Sequence, residues 1–546
     1  MKIKQICMLV LLWLGVIPAV QAQTFDKLWK QVEQAEKKSL PQTVIKLTGE
    51  IYQKGEAEKN SPQMLKAYMW RMKYRDMLTP DSLYTNVKEL EQWAKQADKP
   101  MDRAILHSLI AGIYANYAAN NQWQLRQRTE IVGEAPSADM REWTANMFVE
   151  KVKTSIKEAM ADSVLLLNTS SRTYIPFVEL GETSEYYHHD MYHLLAFRSI
   201  EALQQIEGLD RATPVEAYSE DTSSKKQSPV KQDIERIYEN MLTSYKAKGD
   251  KEGCLLTNLN YLSWKRDTSK SFREPFSVKK GGTYMMTVDP YETGLDALKT
   301  EYKSSDLCAE VYLAQANYMI GKEQQTVALQ LCDEAIRLYP GYRRINALKN
   351  LREDILSPSL NVTAAATAFP GEEIKIRASH KNLDGFTLRL FQAKKLIKEQ
   401  HFAVLRPEDY RTQDTVFTFQ APEVGEYVMR IIPDIRAKRD SESKFNVTRF
   451  KALTCRLPGN QYEVVTLDGQ TGHPISNAKV TMYSNDEKVL QEFTTDKDGK
   501  VVFPWKSEYR YLKASKGTDT AMPKQGIYAG SYGYYGDEDK VAENMT

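Results

Sequence analysis

The sequence predicts a multidomain chain, α first and β second: an array of α-helical hairpins followed by two β-sandwich domains. Two successive patterns predict it. From about residue 24 to 356 the apolar residues recur with a helical period, and from "SPSLNVTAAATAFPGEEIKIRASH" onward they alternate. The chain has 546 residues and 42% hydrophobic composition, enough for roughly three or four domains of about 150 residues each.

The chain begins "MKIKQICMLVLLWLGVIPAVQA". Lys2 and Lys4 precede an apolar run from Ile6 to Val20, and small residues Val20 and Ala22 close it. This is the pattern of a secretory signal peptide over 1–22, cleaved after Ala22, because the apolar run is short for a spanning helix. The mature protein is expected to be exported, to the periplasm or cell surface of a Gram-negative bacterium.

The segment 23–356 reads as helical hairpins. In "RAILHSLIAGIYANY" the stripe is Leu106, Leu109, Ile110, Ile113, Tyr114 and Tyr117, which follows the amphipathic spacing. In "QDIERIYENMLTSYKAKGD" it is Ile234, Ile237, Tyr238, Met241, Leu242 and Tyr245. Short polar turns such as "KGDKEG" imply neighbouring helices. The clearest unit is 309–342. There Gly321 ends one helix, Ala328, Cys332 and Ala335 line a face of the next, and Pro340 stops it. It resembles a tetratricopeptide repeat, with a longer inter-helix turn and Cys332 in place of a large aromatic. Such arrays bind protein partners along a concave face. "EAYSEDTSSKKQSP" (216–229) reads as an exposed loop, and "SFREPFSVKKGGTYMM" breaks the helical pattern.

A first sandwich is expected over 357–453. Ile374 and Ile376 alternate with Lys375 and Arg377, and turn signals recur at "FPGE", "NLDG" and "PEVGE". A second is expected over 454–530, with strands at "AKVTMY" and "GKVVF". Asp496, Asp498 and Gly499 suggest a calcium loop, but there is no third acidic ligand before the glycine and no helical flank, and a hairpin turn explains them better. Residues 531–546 read as a Gly/Tyr-rich linker or a truncated end.

The charges, 74 Lys plus Arg against 72 Asp plus Glu, give no long-range attraction to nucleic acid or anionic lipid. Cys254, Cys308, Cys332 and Cys455 remain after cleavage; three sit in helical patterns and read as buried thiols, and their pairing stays open. No Walker A loop, HExxH, dinucleotide-binding glycine fingerprint or nucleophile elbow is present. No catalytic residue, cofactor or metal ligand is therefore assigned. One stretch tests that conclusion. "EYYHHDMYHLLAFR" (185–198) holds three of the seven histidines, and His189 and His193 are one helical turn apart with Asp190 between them. His193 lies beside the apolar positions Ala196 and Leu203, so a packed helix residue is expected there rather than a ligand.

Three stretches carry a resemblance. "PGEEIKIRASHKNLDGFTLRLF" (370–391) looks like a first macroglobulin domain. "TLDGQTGHPISNAKVTMY" followed by "TTDKDGKVVF" looks like the next, with a carboxypeptidase-regulatory or transthyretin-like pattern. "MYHLLAFRSIEAL" (191–203) is similar to a Leu-Tyr-Asp-Phe-Leu-Ala-x-Arg helix. In this order they resemble the N-terminal region of bacterial alpha-2-macroglobulin-like proteins of the Bacteroides type. The resemblance implies an exported, non-enzymatic protein with a role in protease inhibition or cell-envelope defence, and proteases or envelope proteins as partners. It also implies that the helix at 191 needs no metal, since the family carries Asp where this chain has His193. The family's thioester motif, Cys-Gly-Glu-Gln, is absent from these residues. The alternative is a helical-repeat and sandwich adaptor that docks an envelope complex or a glycan.

Overall fold

The computed structural model describes residues 24–79, 81–128, 137, 139–187, 189–209, 228–269, 272, 276–280, 284–435 and 441–523. The expected signal peptide and the 531–546 linker lie outside them, as does most of the 216–229 loop. The chain divides into two compact units, Met1–Val311 and Tyr312–Thr546.

The first unit is built from helices α1 (Phe25–Lys37), α2 (Pro41–Ala57), α3 (Ser61–Leu78), α4 (Ser82–Gln96), α5 (Pro100–Asn120), α6 (Gln122–Arg126), α7 (Ala145–Ala159), α8 (Ser163–Asn168), α9 (Met191–Ile206), α10 (Pro229–Lys248), α11 (Lys251–Thr268) and α12 (Pro290–Tyr302). Each long helix packs on the next in sequence, and α9 also reaches back to α5. This is the neighbour pattern of serial hairpins. Helix α5 departs from the expected single stripe. Ala104, Ile105, Ala111, Ala115 and Ala118 are buried as well as Leu106, Leu109, Ile110 and Tyr114, because α4, α7 and α9 all pack on it. The α10–α11 turn shows how the polar "KGD" works. Gly249 ends α10 at φ 72°, a left-handed conformation that glycine adopts without strain, and the Asp250 carboxylate accepts from the Gly253 N–H at 2.8 Å. Gly253 is needed because a Cβ there would sit 2.7 Å from the Tyr245 ring.

The stretch that broke the helical pattern forms an antiparallel pair, β1 (Phe276–Lys280) with β2 (Tyr284–Val288). It is the one sheet in the first unit among the described residues.

Helix α13 (Cys308–Gly321) carries the division between the units, and α14 (Gln325–Leu338) and α15 (Ile345–Leu356) belong to the second. Ala328, Cys332 and Ala335 are buried on α14, the face read from sequence. The helices therefore do not form one body up to 356. The reason lies in contacts that periodicity does not encode: Asn382 Nδ2 donates to the Ile355 carbonyl at 2.8 Å, and Lys381 Nζ donates to the Asp354 carbonyl. These tie the end of α15 to the sheet that follows.

Helix gives way to strand between Leu356 and Ser359. The first sandwich faces a three-stranded sheet, β3 (Ser359–Thr363), β5 (Glu373–Lys381) and β8 (Gln413–Gln420), against a five-stranded one in the order β4-β10-β9-β6-β7. Those strands are β4 (Thr367–Ala368), β6 (Gly385–Gln392), β7 (Lys395–Ala403), β9 (Gly425–Pro433) and β10 (Ser441–Val447). Strand β5 reads as alternating exposed and buried residues, with Ile374, Ile376 and Ala378 inward. They meet Phe386, Leu388 and Phe445 from the other sheet in one core.

The second sandwich pairs β11 (Phe450–Leu457), β12 (Gln461–Asp468) and β15 (Lys500–Pro504) in one sheet, and β14 (Val489–Thr494), β13 (Lys479–Tyr483), β16 (Tyr511–Lys516) and β17 (Asp519–Ala521) in the other. Its core holds Phe450, Ala452, Val480, Met482, Phe503 and Leu512. It begins at Phe450, so the boundary expected at 453/454 falls inside β11. The strand "FKALTCRL" pairs with β12 along its whole length, from Phe450 to Leu457.

The loop at Asp496–Gly499 is a tight turn. Asp496 Oδ1 accepts from the Asp498 and Lys500 N–H groups, both at 2.9 Å, and Gly499 has φ 72°. The expected hairpin does not form, because β14 pairs with β13 while β15 pairs with β12. The turn crosses between the two sheets.

Candidate functional site

The histidine-rich stretch opens α9. Its helix starts at Met191 with Asp190 as N-cap, and Asp190 Oδ1 accepts from the His193 N–H at 2.8 Å. His189 thus lies outside the helix, contrary to the expectation that it shares a helical face with His193. The two rings are nevertheless together, stacked at 3.9 Å and 8°. Backbone pairing explains it. Met191 N–H donates to the Thr169 carbonyl at 2.8 Å, and Ser171 donates to the His189 carbonyl through its hydroxyl at 2.7 Å. The segment before α9 is pinned to the turn after α8, and this holds His189 over His193. His188 lies outside the described residues.

The His193 ring also meets Phe197, 4.5 Å away and tilted by 40°. His193 is therefore a packed aromatic with a ring neighbour in both His189 and Phe197. Burial holds its imidazole down at about 3, and charge repulsion from His189 adds to this. Asp190 is also enclosed. It takes hydrogen bonds from the His193 N–H and the Tyr245 hydroxyl (3.1 Å), and Lys248 Nζ lies 3.7 Å from Oδ2, yet burial still pushes its carboxyl up.

The stack does not present a chelating pair. Imidazole lone pairs lie in the ring plane, and two parallel stacked rings direct them along separate planes rather than to one point. Among the described residues no group of three His, Cys, Asp or Glu side chains is gathered where it could hold a metal ion.

Beside the stack is a cavity of about 120 Å³. Ser171, Arg172, Thr183, Tyr187, His189 and His193 contribute its polar wall, with Val178 and Leu194 among the apolar residues. Arg172 donates to the Ser184 carbonyl, which braces the loop across the opening. Tyr187 donates to Glu310, and both side chains are buried. The 171–187 part of this wall escaped sequence reading: it is made of short 3₁₀ turns, Ser171–Tyr174 and Glu182–Glu185, which have no apolar period to detect.

The cysteines offer no second site. Cys254, Cys308 and Cys332 are buried, Cys455 is exposed, and burial pushes the Cys332 thiol up to about 11, away from thiolate chemistry.

Fold and cavity together describe a multidomain chain, helical and then twice a sandwich, with a small half-open pocket in its helical unit. No family model and no curated protein matches the sequence. Among solved structures it is similar to native alpha-2-macroglobulin from Escherichia coli, in the fragment spanning domains MG0-NIE-MG1. The identity is 15%, over 31% of this chain and 64% of that one, with a TM-score of 0.26. The fragment spanning NIE-MG1 gives 15% identity over 30% and 95%, TM-score 0.24. The trypsin-activated protein gives 11% over 31% and 16%, TM-score 0.17.

Proposed function

We propose that this chain is the leading, non-enzymatic part of an exported alpha-2-macroglobulin-like protein that acts in protease inhibition or envelope defence. The observation that carries the reading is the joint between its two sandwiches. Only Thr448 and Arg449 separate β10 from β11. Across that link Glu426 accepts from Lys513 and from the Thr520 hydroxyl (3.0 Å), Asn446 Nδ2 donates to the Thr520 carbonyl (2.5 Å), and the Arg449 N–H donates to Asp519 (2.9 Å). Sandwiches joined this closely suit a protein built from a series of such domains, as the sequence resemblance implies.

In this role the chain positions other parts and contacts proteins; the covalent chemistry of the family belongs to a motif these residues do not contain. The test is the natural gene read past the codon for Thr546. The reading expects further sandwiches and an in-frame Cys-Gly-Glu-Gln. A stop codon at that point would sink it. The serial hairpins favour a second reading, an adaptor docking an envelope protein, which that stop codon would leave standing.

A further inference from the structure

We propose that the seam between α15 and the first sandwich is acid-sensitive, with His380 as its sensor: protonation of that ring opens the end of β5 and frees the last turn of α15, while the sandwich core stays folded. The seam lies wholly within the second unit, Tyr312–Thr546. It is independent of the macroglobulin reading: a stop codon after Thr546 would leave it untouched.

Three observations carry it. First, the residues that end β5 hold the helix. Asn382 Nδ2 donates to the Ile355 carbonyl at 2.8 Å and to the Ser357 carbonyl at 3.4 Å, and Lys381 Nζ donates to the Asp354 carbonyl. The last carbonyls of a helix have no partner within it, so these bonds from the sheet satisfy them. The exposed Arg411–Glu323 ion pair, at 3.5 Å, also joins the helices to this sandwich, but such a pair contributes little alone. Second, His380 adjoins these two residues in the strand. It is 1% exposed, its Nε2 is 3.0 Å from the Thr415 hydroxyl, and its Nδ1 is buried without a partner. The amide oxygen of Asn382, a residue 3% exposed, is bare in the same way. A neutral imidazole can leave one nitrogen as a lone pair. An imidazolium carries N–H groups on both, so protonation in place buries a charge and a donor with nothing to accept it. Third, His380 stands at the end of its ladder. The His380–Gln413 pair is the last between β5 and β8. On the other side His380 faces Leu360 of β3, a strand that follows α15 after only Ser357 and Pro358. The core positions Ile374, Ile376 and Ala378 lie further along β5. Opening this end gives the ring water at the cost of the terminal pairs, and it takes Asn382 away from the α15 carbonyls.

The charged and titratable groups about the ring fix the sign of the pH dependence. Burial holds the His380 imidazole below its ordinary value, and Asp414 of β8 acts the other way, favouring protonation. On β5, Lys381 is engaged with α15, whose Asp354 acts on it. Strand β3, Ser-Leu-Asn-Val-Thr, brings no charge. Beyond β5, Asp384 is exposed; His401 of β7 and Asp434 after β9 pair with each other at 2.9 Å, and Arg411 before β8 pairs with Asp409. Above the ordinary value of 6.5 the ring is neutral whether the seam is open or closed, and closure has its full strength. Below 6.5 the opened seam takes up a proton that the closed one refuses, so closure weakens as pH falls.

Amide hydrogen exchange of the full chain, read peptide by peptide in mass spectrometry at about pH 7.5 and 5.5 and corrected for the intrinsic exchange rate, separates the seam from the core. Protection in peptides covering 351–363 is expected to fall by up to about tenfold between those two values, with peptides covering Phe386–Leu390 unchanged. His380→Gln keeps a polar group for the Thr415 hydroxyl and cannot titrate, so its seam is expected to stay equally protected at both values. Asn382→Gly removes the tie itself and is expected to lower seam protection already at the higher pH. The proposal is overturned if seam protection in the parent does not change with pH, if the core peptides lose protection in step with it, if a folded His380→Gln protein shows the same loss, or if the Asn382→Gly seam is as protected as the parent's. The comparison of seam with core in the unaltered chain decides the matter even where His380→Gln does not fold.

Discussion

His193 shows how one side chain can be read correctly in kind and not in detail. Its helical spacing places it beside the apolar stripe, and it is indeed packed. The partner that makes it unusual, His189, reaches it through a β-bridge between Ser170 and Asp190, a long-range pairing that no local pattern announces. The packing has a measurable consequence. The folded-state value is about 3 against an ordinary 6.5. Between those values the unfolded chain binds a proton that the folded chain refuses. The stability contribution is therefore complete above 6.5 and is lost as pH falls toward 3. At pH 5.5 the loss is about 1 kcal/mol. Denaturant titrations at pH 7.5 and 5.5 are expected to show that difference in the parent chain beyond the loss in His193→Phe, which keeps the stack without the titration. An equal loss in both proteins would remove the assignment.

At the scale of the element, the helices and strands were legible where one face is buried and one exposed. Strand β5 alternates cleanly because its sheet has a core side and a solvent side. Helix α10 shows its stripe for the same reason. Legibility failed where that asymmetry is missing. Helix α5 is buried on most sides, so its stripe understates its role. The 3₁₀ turns from Ser171 to Glu185 carry no period at all. The turn at Asp498–Gly499 reads locally like a hairpin, and only the partners β13 and β12 reveal that it crosses between sheets.

Two substitutions test the element-level account. Asp190→Ala removes the α9 cap and the acceptor for Tyr245; it is expected to lower stability by about 1–2 kcal/mol and to release the His189–His193 stack, visible in the histidine NMR shifts. Unchanged stability together with unchanged shifts would deny Asp190 its role. Gly253→Ala drives a methyl group against the Tyr245 ring and is expected to cost about 1–3 kcal/mol in thermal or denaturant unfolding. A neutral effect would mean that the α10–α11 turn tolerates a side chain.

At the scale of the molecule, the change from helix to strand near 356 was plain in the sequence, and the division of the chain at Val311 was not. The first follows from periodicity. The second depends on where the last helices find partners, as Asn382 on the Ile355 carbonyl shows. The joint between the sandwiches is likewise a tertiary feature, although its strands are individually readable. Lys513 holds the Glu426 carboxyl below its ordinary range, and the pair is the charged part of that joint. Glu426→Ala is expected to broaden the spin-label distance distribution between the two sandwiches while each stays folded. An unchanged distribution would show that the remaining hydrogen bonds alone fix the angle. By contrast, Phe386→Ala strikes the first core and is expected to cost about 3–5 kcal/mol, read as a large fall in the unfolding midpoint of that sandwich.

The proposed role of these domains, the leading part of a macroglobulin-like inhibitor, belongs to the whole molecule. Its most direct measurement incubates the full natural gene product with an endopeptidase and resolves the mixture under denaturing, reducing conditions. The expected product is a new band carrying both proteins, which forms only with active protease. Recovery of all the protease unbound, with the gene product degraded to ordinary fragments, would contradict it.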